Sequence, residues 1–528
     1  MASAHPLATE AGIEVLARGG NAFDAAIAVT TTLAVVEPYS SGIGGGGFWL
    51  LHIQQDNRDV MIDGRERAPL AATRNMYLDE DGKVIPGASI DGPLSAGIPG
   101  VPAAIEHLAL NYGKLPLSVT LKAAITHAQN GFKTDEHYQR MASFRENSLN
   151  ASADAAGIFL KDGKAPEPGT LIVQKALADT LKIIADKGAK GFYQGALADR
   201  LVNSVVRHGG IWSRKDLEDY RVVERVPVTG RYKGMKVVSA APPSSGGVAL
   251  VQMLNMLSTF DMNALSETAQ VHLLTESMRR AYRDRAEYLG DTDYVKVPME
   301  RLLSQKYADK LASTISLDQV TPSARLAPVA TGPARAVDTT HFSIIDGQGN
   351  RVAATLSINY PFGSGFVAES TGVLLNDEMD DFSAKPGVPN VYGLVGAEAN
   401  SIQPGKRMLS SMTPTFLETK DRVAVLGTPG GSRIITMVLL AALEFHRGGS
   451  AEDIVNRGRF HHQYLPDRLF YEPKVLSEEV LKSLFELGHH TEELDSTYGN
   501  MHAVILDRQS KRLDAASDHR GGGTARIE

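Results

Sequence analysis

Val337-Asp338-Thr339-Thr340-His341 is the stretch on which the reading of this chain turns. A segment bearing Pro322, Pro328 and Pro333, spanning 316–338, ends there on a threonine that opens an apolar, β-branched run, 339–345. Proline supplies no amide N–H and interrupts regular structure, so 316–338 reads as an exposed linker. A chain cut ahead of Thr339 would carry a free α-amine beside that residue's own hydroxyl. An α-amine has a pKa near ~7.7–8.0, so it accepts the hydroxyl proton around neutral pH without help from a histidine. Threonine also opens strands simply because β-branched residues suit a pleated sheet. The junction by itself leaves both readings open.

Outward from the junction, 339–345 and 351–358 flank Asp346-Gly-Gln-Gly-Asn350, whose turn residues predict a hairpin. Further short strands are expected at 415–417, 422–426 and 501–506, with one strongly apolar helix at 434–445. Upstream the 3.6-residue period dominates, with helices predicted at 8–18, 24–36, 101–111, 118–130, 174–187, 196–208, 247–260 and 266–285. The last of these carries a charged side expected to face solvent. One strand, 48–53, follows a glycine-rich run. Helices on either side of strand layers predict an α/β or layered α+β architecture.

Composition removes several classes of function. At 43% apolar and 22% charged residues, the 528-residue chain has enough apolar material to fill a core and is not disordered as a whole. Its net charge of −7 argues against an electrostatic nucleic-acid binder. With no cysteine, disulfides, thiolate metal sites, iron–sulfur clusters and a cysteine nucleophile are all excluded. The longest apolar stretches, 25–36 and 434–443, fall short of the ~18 residues a membrane helix needs, so no membrane span is expected. The first residues do not read as a secretion signal, although a leader removed upstream would leave the same start. Length alone allows three or four domains.

Most motifs have an ordinary reading beside a chemical one. Gly42-x-Gly44-x-x-Gly47 matches the dinucleotide fingerprint in letters, but a strand follows the glycines where a helix should, so close backbone packing is expected. No Gly-x-Ser-x-Gly occurs, and Ser244-Ser245 reads as a helix cap. His461-His462 and His489-His490 lack metal-ligand spacing and read as packing or surface histidines. Pro429-Gly-Gly-Ser-Arg433, between a strand and the apolar helix, is either an oxyanion hole of backbone N–H groups or a plain strand–helix turn. Ser410-Ser411 is either a hydroxyl clamp or a loop.

Four blocks occur in one order: 338–343 (Asp-Thr-Thr-His-Phe-Ser), 376–387 (Asn-Asp-Glu-Met-Asp-Asp-Phe-Ser-Ala-Lys-Pro-Gly), 408–412 (Met-Leu-Ser-Ser-Met) and 429–433. With 2–12, 19–22, 44–47 and 63–66, they make essentially the whole chain resemble the γ-glutamyltransferase (γ-glutamyl transpeptidase) family. The resemblance implies an α+β, four-layer αββα sandwich of the N-terminal-nucleophile hydrolase type. It implies a precursor that cuts itself between Asp338 and Thr339, leaving a large subunit, 1–338, and a small catalytic one, 339–528, interleaved in one structural domain. Thr339 then attacks the γ-amide of glutathione or a related γ-glutamyl compound, and the acyl group passes to water, an amino acid or a peptide. Gly430 and Gly431 match the oxyanion hole, and Ser357 a position usually held by threonine, whose hydroxyl touches the nucleophile.

The resemblance also assigns the substrate's two charges. Arg65, Ser410 and Ser411 match the carboxylate-binding set, and Asn359, Glu378 and Asp381 the ammonium-binding set, a division that follows charge complementarity. The segment 386–397, with Tyr392, resembles a lid and is expected as a surface flap. Gly64 departs from the pattern, since several relatives carry Phe there, and is expected to alter the pocket wall. No cofactor and no metal are implied. Members are typically periplasmic or surface-exposed; without a leader in this chain, a cytoplasmic member is the other expectation. Two rivals stand beside this reading: an acylase on the same scaffold taking glutaryl groups, and a non-enzymatic γ-glutamyl-peptide binder.

Overall fold

The hairpin that follows Thr339 forms the middle of the molecule. In the computed structural model, which describes residues 1–326 and 339–528, Thr340–Ile345 pairs antiparallel with Arg351–Ser357, and that strand with Gly46–Ile53. Asp346 closes the turn, its Oδ1 accepting the N–H groups of Gln348 and Asn350, both at 2.9 Å. Arg58–Asp63 and Val223–Arg225 extend one edge, Ala2–Ser3 and Thr524–Ala525 the other, giving seven strands. A second, six-stranded sheet orders Leu513–Ser517, His502–Asp507, Arg422–Gly427, Thr415–Glu418, Met235–Ser239 and Val228–Tyr232. Each sheet draws strands from both sides of residues 327–338.

Strand alternation explains the layering. Trp49 and Leu51, Phe342 and Ile344, and Val352, Ala354 and Leu356 join a core with the helices Pro6–Ala17 and Ala22–Val36. Their neighbours Phe48, Leu50, Ile345 and Ala353 join a second core with the other sheet and the helices Gly246–Leu257 and Ile434–His446. The order helix, sheet, sheet, helix is the expected αββα sandwich of the α+β class. Both faces of the first sheet are therefore dry. Ala22–Val36 is buried along its whole length, and its start is fixed by a reciprocal cap between Asn21 and Asp24. Among the described residues no helix is long and apolar enough to cross a membrane.

Most helical expectations match within three residues at either end, while 118–130 splits into Leu117–Thr120 and Lys122–Asn130. The charged side of Glu267–Tyr288 does not face water. Glu276, Arg279, Arg280, Asp284 and Arg285 are all buried, with Glu276 between Arg279 (3.2 Å) and Arg280 (2.6 Å). The helices Gly246–Leu257 and Glu478–Glu486 pack against this one, so the charges pair with each other instead of with solvent.

The linker expectation also needs correction for its first half. The Val320 N–H donates to Leu487 O at 2.9 Å, and buried Ser323 donates its N–H to Asp467 at 2.7 Å. The remainder, with Pro328, Pro333 and Asp338, lies outside the described residues. Ser245 occupies the helix start but does not cap it with its side chain; its hydroxyl donates to Ser410 O at 2.7 Å, while Ser244 Oγ accepts the Gly246 N–H at 3.1 Å. The glycine run packs backbone against backbone: a Cβ on Gly44 would lie 2.1 Å from Leu374 O.

Between the sheets, His341 is held at both nitrogens, with Thr355 Oγ1 at 2.8 Å and Ser343 Oγ at 3.1 Å. Burial keeps this imidazole far below its ordinary pKa and therefore neutral. Gly427 of the second sheet lies against the ring, and a Cβ there would meet His341 Cε1 at 2.3 Å. With the ring pinned, Gly427→Ala is expected to cost about 1–3 kcal/mol of stability by overpacking. Chemical denaturation measures this, and an unchanged midpoint would contradict a tight inter-sheet fit.

Candidate active site

Thr339 stands immediately before the central strand and is 4% exposed. It lines two spaces at once: a small pocket of about 20 Å³ and a larger cleft of about 680 Å³. Thr340 anchors the strand's entry by donating its hydroxyl to Glu37 Oε2 at 2.7 Å. The register that sets Leu356 opposite Thr340 brings Ser357 beside Thr339 at the pocket wall. The Ser357 hydroxyl accepts the Asn359 N–H at 2.7 Å, which fixes its direction.

Opposite, the turn after Arg422–Gly427 places Gly430 at φ 135° and Gly431 at φ 54°, conformations that favour glycine. A short 3₁₀ turn, Gly431–Arg433, then leads into Ile434–His446. Gly431 lines the small pocket, whereas Gly430 lines the larger cleft. The two glycines thus bracket the wall in which Thr339 sits. Backbone N–H groups ahead of a helix are suited to stabilise developing negative charge.

The floor of the small pocket is charged. Arg65 is buried, with Nη1 2.8 Å from Glu378 Oε2 and Nη2 bonded to Asp381 Oδ2, while Glu66 lies 3.9 Å away. Its Nε donates to Met408 O at 3.3 Å, which ties it to the 408–412 loop. Arg285 adds a second guanidinium, donating to Ser411 Oγ at 3.2 Å and Ser245 Oγ at 3.0 Å. Burial raises the pKa of Glu378 to about 7 and also raises Asp381, with Arg65 pulling both the other way. Burial works against the charge on Arg65, but Glu378 and Asp381 outweigh it and its pKa rises. Burial holds the Glu66 carboxyl well above the usual carboxylate range and therefore neutral, so Glu378 and Asp381 are the acids that face Arg65 in the pocket lining, with Arg285 behind Ser411.

Asn359, with φ 73°, donates its side-chain N–H to Asp377 O at 3.1 Å and presents Oδ1 to Tyr392. The segment 386–397 covers the pocket. Tyr392 is 4% exposed, its hydroxyl donating to Asn359 Oδ1 at 2.5 Å and its ring seated on Gly431. The flap is further held by Asp380 Oδ2, which accepts the Val391 N–H at 3.0 Å, and by the Asn390 amide on Asp381 at 3.2 Å. Its underside is therefore interior, a correction to the surface flap expected from its prolines and glycines.

Arg65, Ser357, Asn359, Glu378, Asp381, Tyr392, Ser410, Ser411 and Gly431 all line the pocket with Thr339. Asp338 falls outside the described residues. Gly64 does not line the pocket: a Cβ there would point at Trp49 (2.8 Å) and Ala104 (3.1 Å), so its smallness serves core packing. Sequence reasoning missed Arg285 and Ser245, one placed on a solvent face and the other at a cap. The only signal available was an arginine on the helix side that also carries Met278 and Tyr282, both buried.

A four-layer sandwich with a threonine at the head of a central strand is the architecture of the N-terminal-nucleophile hydrolases. Residues 8–527 match the family model described as Gamma-glutamyltranspeptidase. The chain belongs to the gamma-glutamyltranspeptidase family. It is 45% identical over 496 residues to a glutathione hydrolase proenzyme of Pseudomonas sp. (strain A14), covering 92% of this chain and 85% of that one. Its fold is similar to the cephalosporin acylase from Bacillus halodurans, with a TM-score of 0.86 and 26% identity over 99% of this chain and 94% of the other. A chain of Helicobacter pylori gamma-glutamyltranspeptidase matches with a TM-score of 0.60 and 42% identity, covering 62% of this chain and 94% of its own.

If the Tyr392–Asn359 bond and the ring's seat on Gly431 hold the flap down, Tyr392→Ala should raise amide exchange across 386–397 by about tenfold or more. Exchange in Thr340–Ile345 should not change. Equal exchange in the variant and the wild type would show that the flap is held elsewhere.

Proposed function

We propose that this protein is a self-processing γ-glutamyltransferase and glutathione hydrolase in which Thr339 is the nucleophile. The observation that carries this reading is the position of Thr339, in the wall of a pocket whose floor holds Arg65 between Glu378 and Asp381. A γ-glutamyl group is zwitterionic at its α-carbon, and its two charges suit those two kinds of side chain. Its α-carboxylate would take Arg65 with Ser410 and Ser411. Its α-ammonium would take Glu378, Asp381 and Asn359 Oδ1. Clamping both charges sets the γ-carbonyl against Thr339 Oγ.

In this mechanism the α-amine of Thr339, freed by cleavage after Asp338, accepts the hydroxyl proton as Oγ attacks the γ-carbonyl. The N–H groups of Gly430 and Gly431 stabilise the oxyanion, and the Ser357 hydroxyl orients the nucleophile. Protonation expels the amine, which is cysteinylglycine when glutathione is the donor. The ester left on Thr339 is then opened by water, or by the amine of an amino acid or peptide. Residues 1–338 and 339–528 would remain together as two interleaved subunits. Supporting this division, each sheet takes strands from both segments, and the matched H. pylori chain spans 94% of its own length but 62% of this one. A periplasmic or secreted location accompanies this reading, with a cytoplasmic one as its alternative.

The acylase rival is favoured by the similarity to the cephalosporin acylase, but a glutaryl group brings no ammonium to the acidic side of the pocket. The test is kcat/KM for a γ-glutamyl anilide against a glutaryl anilide as pH is varied. Only the γ-glutamyl compound needs Glu378 ionised, and in the free pocket that carboxyl is neutral below about 7. The γ-glutamyl preference should therefore be about tenfold or more above pH 7 and shrink as pH falls through that value. Titration of the Thr339 amine affects both substrates and cancels in the ratio. A glutaryl preference would make the protein an acylase, and no turnover of either would make it a binder.

A further inference from the structure

The larger cleft, on the far side of Thr339 from the charged pocket, contains a guanidinium that nothing in the above mechanism uses. Arg433 closes the 3₁₀ turn that begins at Gly431, is 8% exposed, and lines this cleft together with Thr339 and Gly430. Its guanidinium lies 4.6 Å from the centre of the Tyr498 ring, and among the described residues it makes no hydrogen bond or ion pair. Burial of this charge pulls its pKa down. Arg520, which lines the same cleft, is by contrast fully engaged, with Glu472 at 2.8 Å and Asp518 at 3.0 Å.

The Glu472 carboxylate acts on Arg433 through space but is already bonded to Arg520, and a buried cation with no bonded anion is costly unless a ligand supplies one. A guanidinium stacked on an aromatic face keeps its N–H edge directed outward, and that edge fits a carboxylate in bidentate fashion. Set in the same cleft as Thr339 and Gly430, Arg433 suits the carboxylate of a molecule whose amine reaches Thr339, which is the chemistry of a free amino acid or the C-terminal end of a short peptide. The Glu37 and Asp135 carboxylates also line the cleft, so it is not a general anion trap.

We propose that Arg433, stacked on Tyr498, forms the subsite for the free carboxylate of the amine partner, whether that amine leaves the donor or arrives as acceptor. The proposal rests on the γ-glutamyltransferase reading and adds the determinant of amine-side specificity. In the transfer step the acceptor nitrogen forms a bond to the γ-carbonyl carbon as the carbon–Oγ bond to Thr339 breaks. The nitrogen's proton passes by way of the Thr339 amine to Oγ. Arg433 takes no part in these bond changes; it holds the acceptor's carboxylate so that the amine faces the ester.

The test compares wild type, Arg433→Gln and Arg433→Lys in two arms. In the acceptor arm, a γ-glutamyl anilide donates to glycylglycine or to its C-terminal amide. In the donor arm, hydrolysis of glutathione is compared with hydrolysis of the anilide, whose leaving group has no carboxylate. Wild type should prefer the free-carboxylate acceptor, and Arg433→Gln should reduce that preference, or the glutathione-to-anilide ratio of kcat/KM, by about tenfold or more. Arg433→Lys should recover part of the loss. A shift in one arm alone assigns the subsite to acceptor or to leaving group. The subsite is refuted if wild type does not distinguish glycylglycine from its amide and both ratios are unmoved in Arg433→Gln. Failure of wild type to turn over the anilide would instead contradict the γ-glutamyltransferase reading itself.

Discussion

The strand Thr340–Ile345 has no exposed residue: strands lie on both edges, helices cover one face and the second sheet covers the other. This double burial is the constraint on which the site depends. A strand paired on two sides and packed on two faces cannot shift without breaking ladder bonds and opening voids. The residue at its head is therefore held to a fixed point between the two cavities, and Ser357 is carried beside it by register. His341, held by Thr355 and Ser343 of its own sheet, fills the space left by Gly427, and Ser343 donates its hydroxyl across to His502 O at 3.1 Å, which locks the same strand to the layer that carries Gly430 and Gly431. Proposed nucleophile and proposed oxyanion hole thus come from different sheets, joined by one tightly fitted contact.

The charges around the site follow a second logic. Arg65 meets Glu378 and Asp381 in the small pocket, with Arg285 behind Ser411, and Arg433 faces the larger cleft with no anion bonded to it among the described residues. Buried charge is tolerated where it is paired, and it is left incomplete where a ligand can complete it. The two acids of the pocket can take a further cation, and Arg433 in the cleft can take an anion. A γ-glutamyl donor supplies the first, and an amine partner carrying a carboxylate supplies the second. The wall between the two spaces carries Thr339, where a bond between donor and amine would be made or broken.

How much of this was legible in the sequence depends on the range of the interaction involved. Turn chemistry and helical period are local, so the 346–350 hairpin and helices such as Val101–Asn111 were readable. Met235–Ser239 and Val228–Tyr232 were not, because strands this short offer too few alternations. The burial of the charges on Glu267–Tyr288 was misread because, although Glu276 pairs locally with Arg279 and Arg280, the residues that receive Arg279 and Arg285, Asp467 and Ser411, lie more than a hundred residues away. The same holds for Tyr392, whose burial depends on Asn359 and Gly431, and for Arg433, which was visible only as the end of a glycine turn. The gathering of Arg65, Glu378 and Asp381 came from family resemblance; no spacing rule connects residue 65 with residue 381.

The central claim is that Thr339 becomes a chain terminus and acts through its own amine. The intact mass of the freshly purified protein under denaturing conditions, beside Thr339→Ala, tests it most directly. The expected result is two polypeptides in the wild type, corresponding to residues 1–338 and 339–528, and one uncut chain in the variant. A single uncut chain in an active wild type, or the same cut in Thr339→Ala, would contradict it.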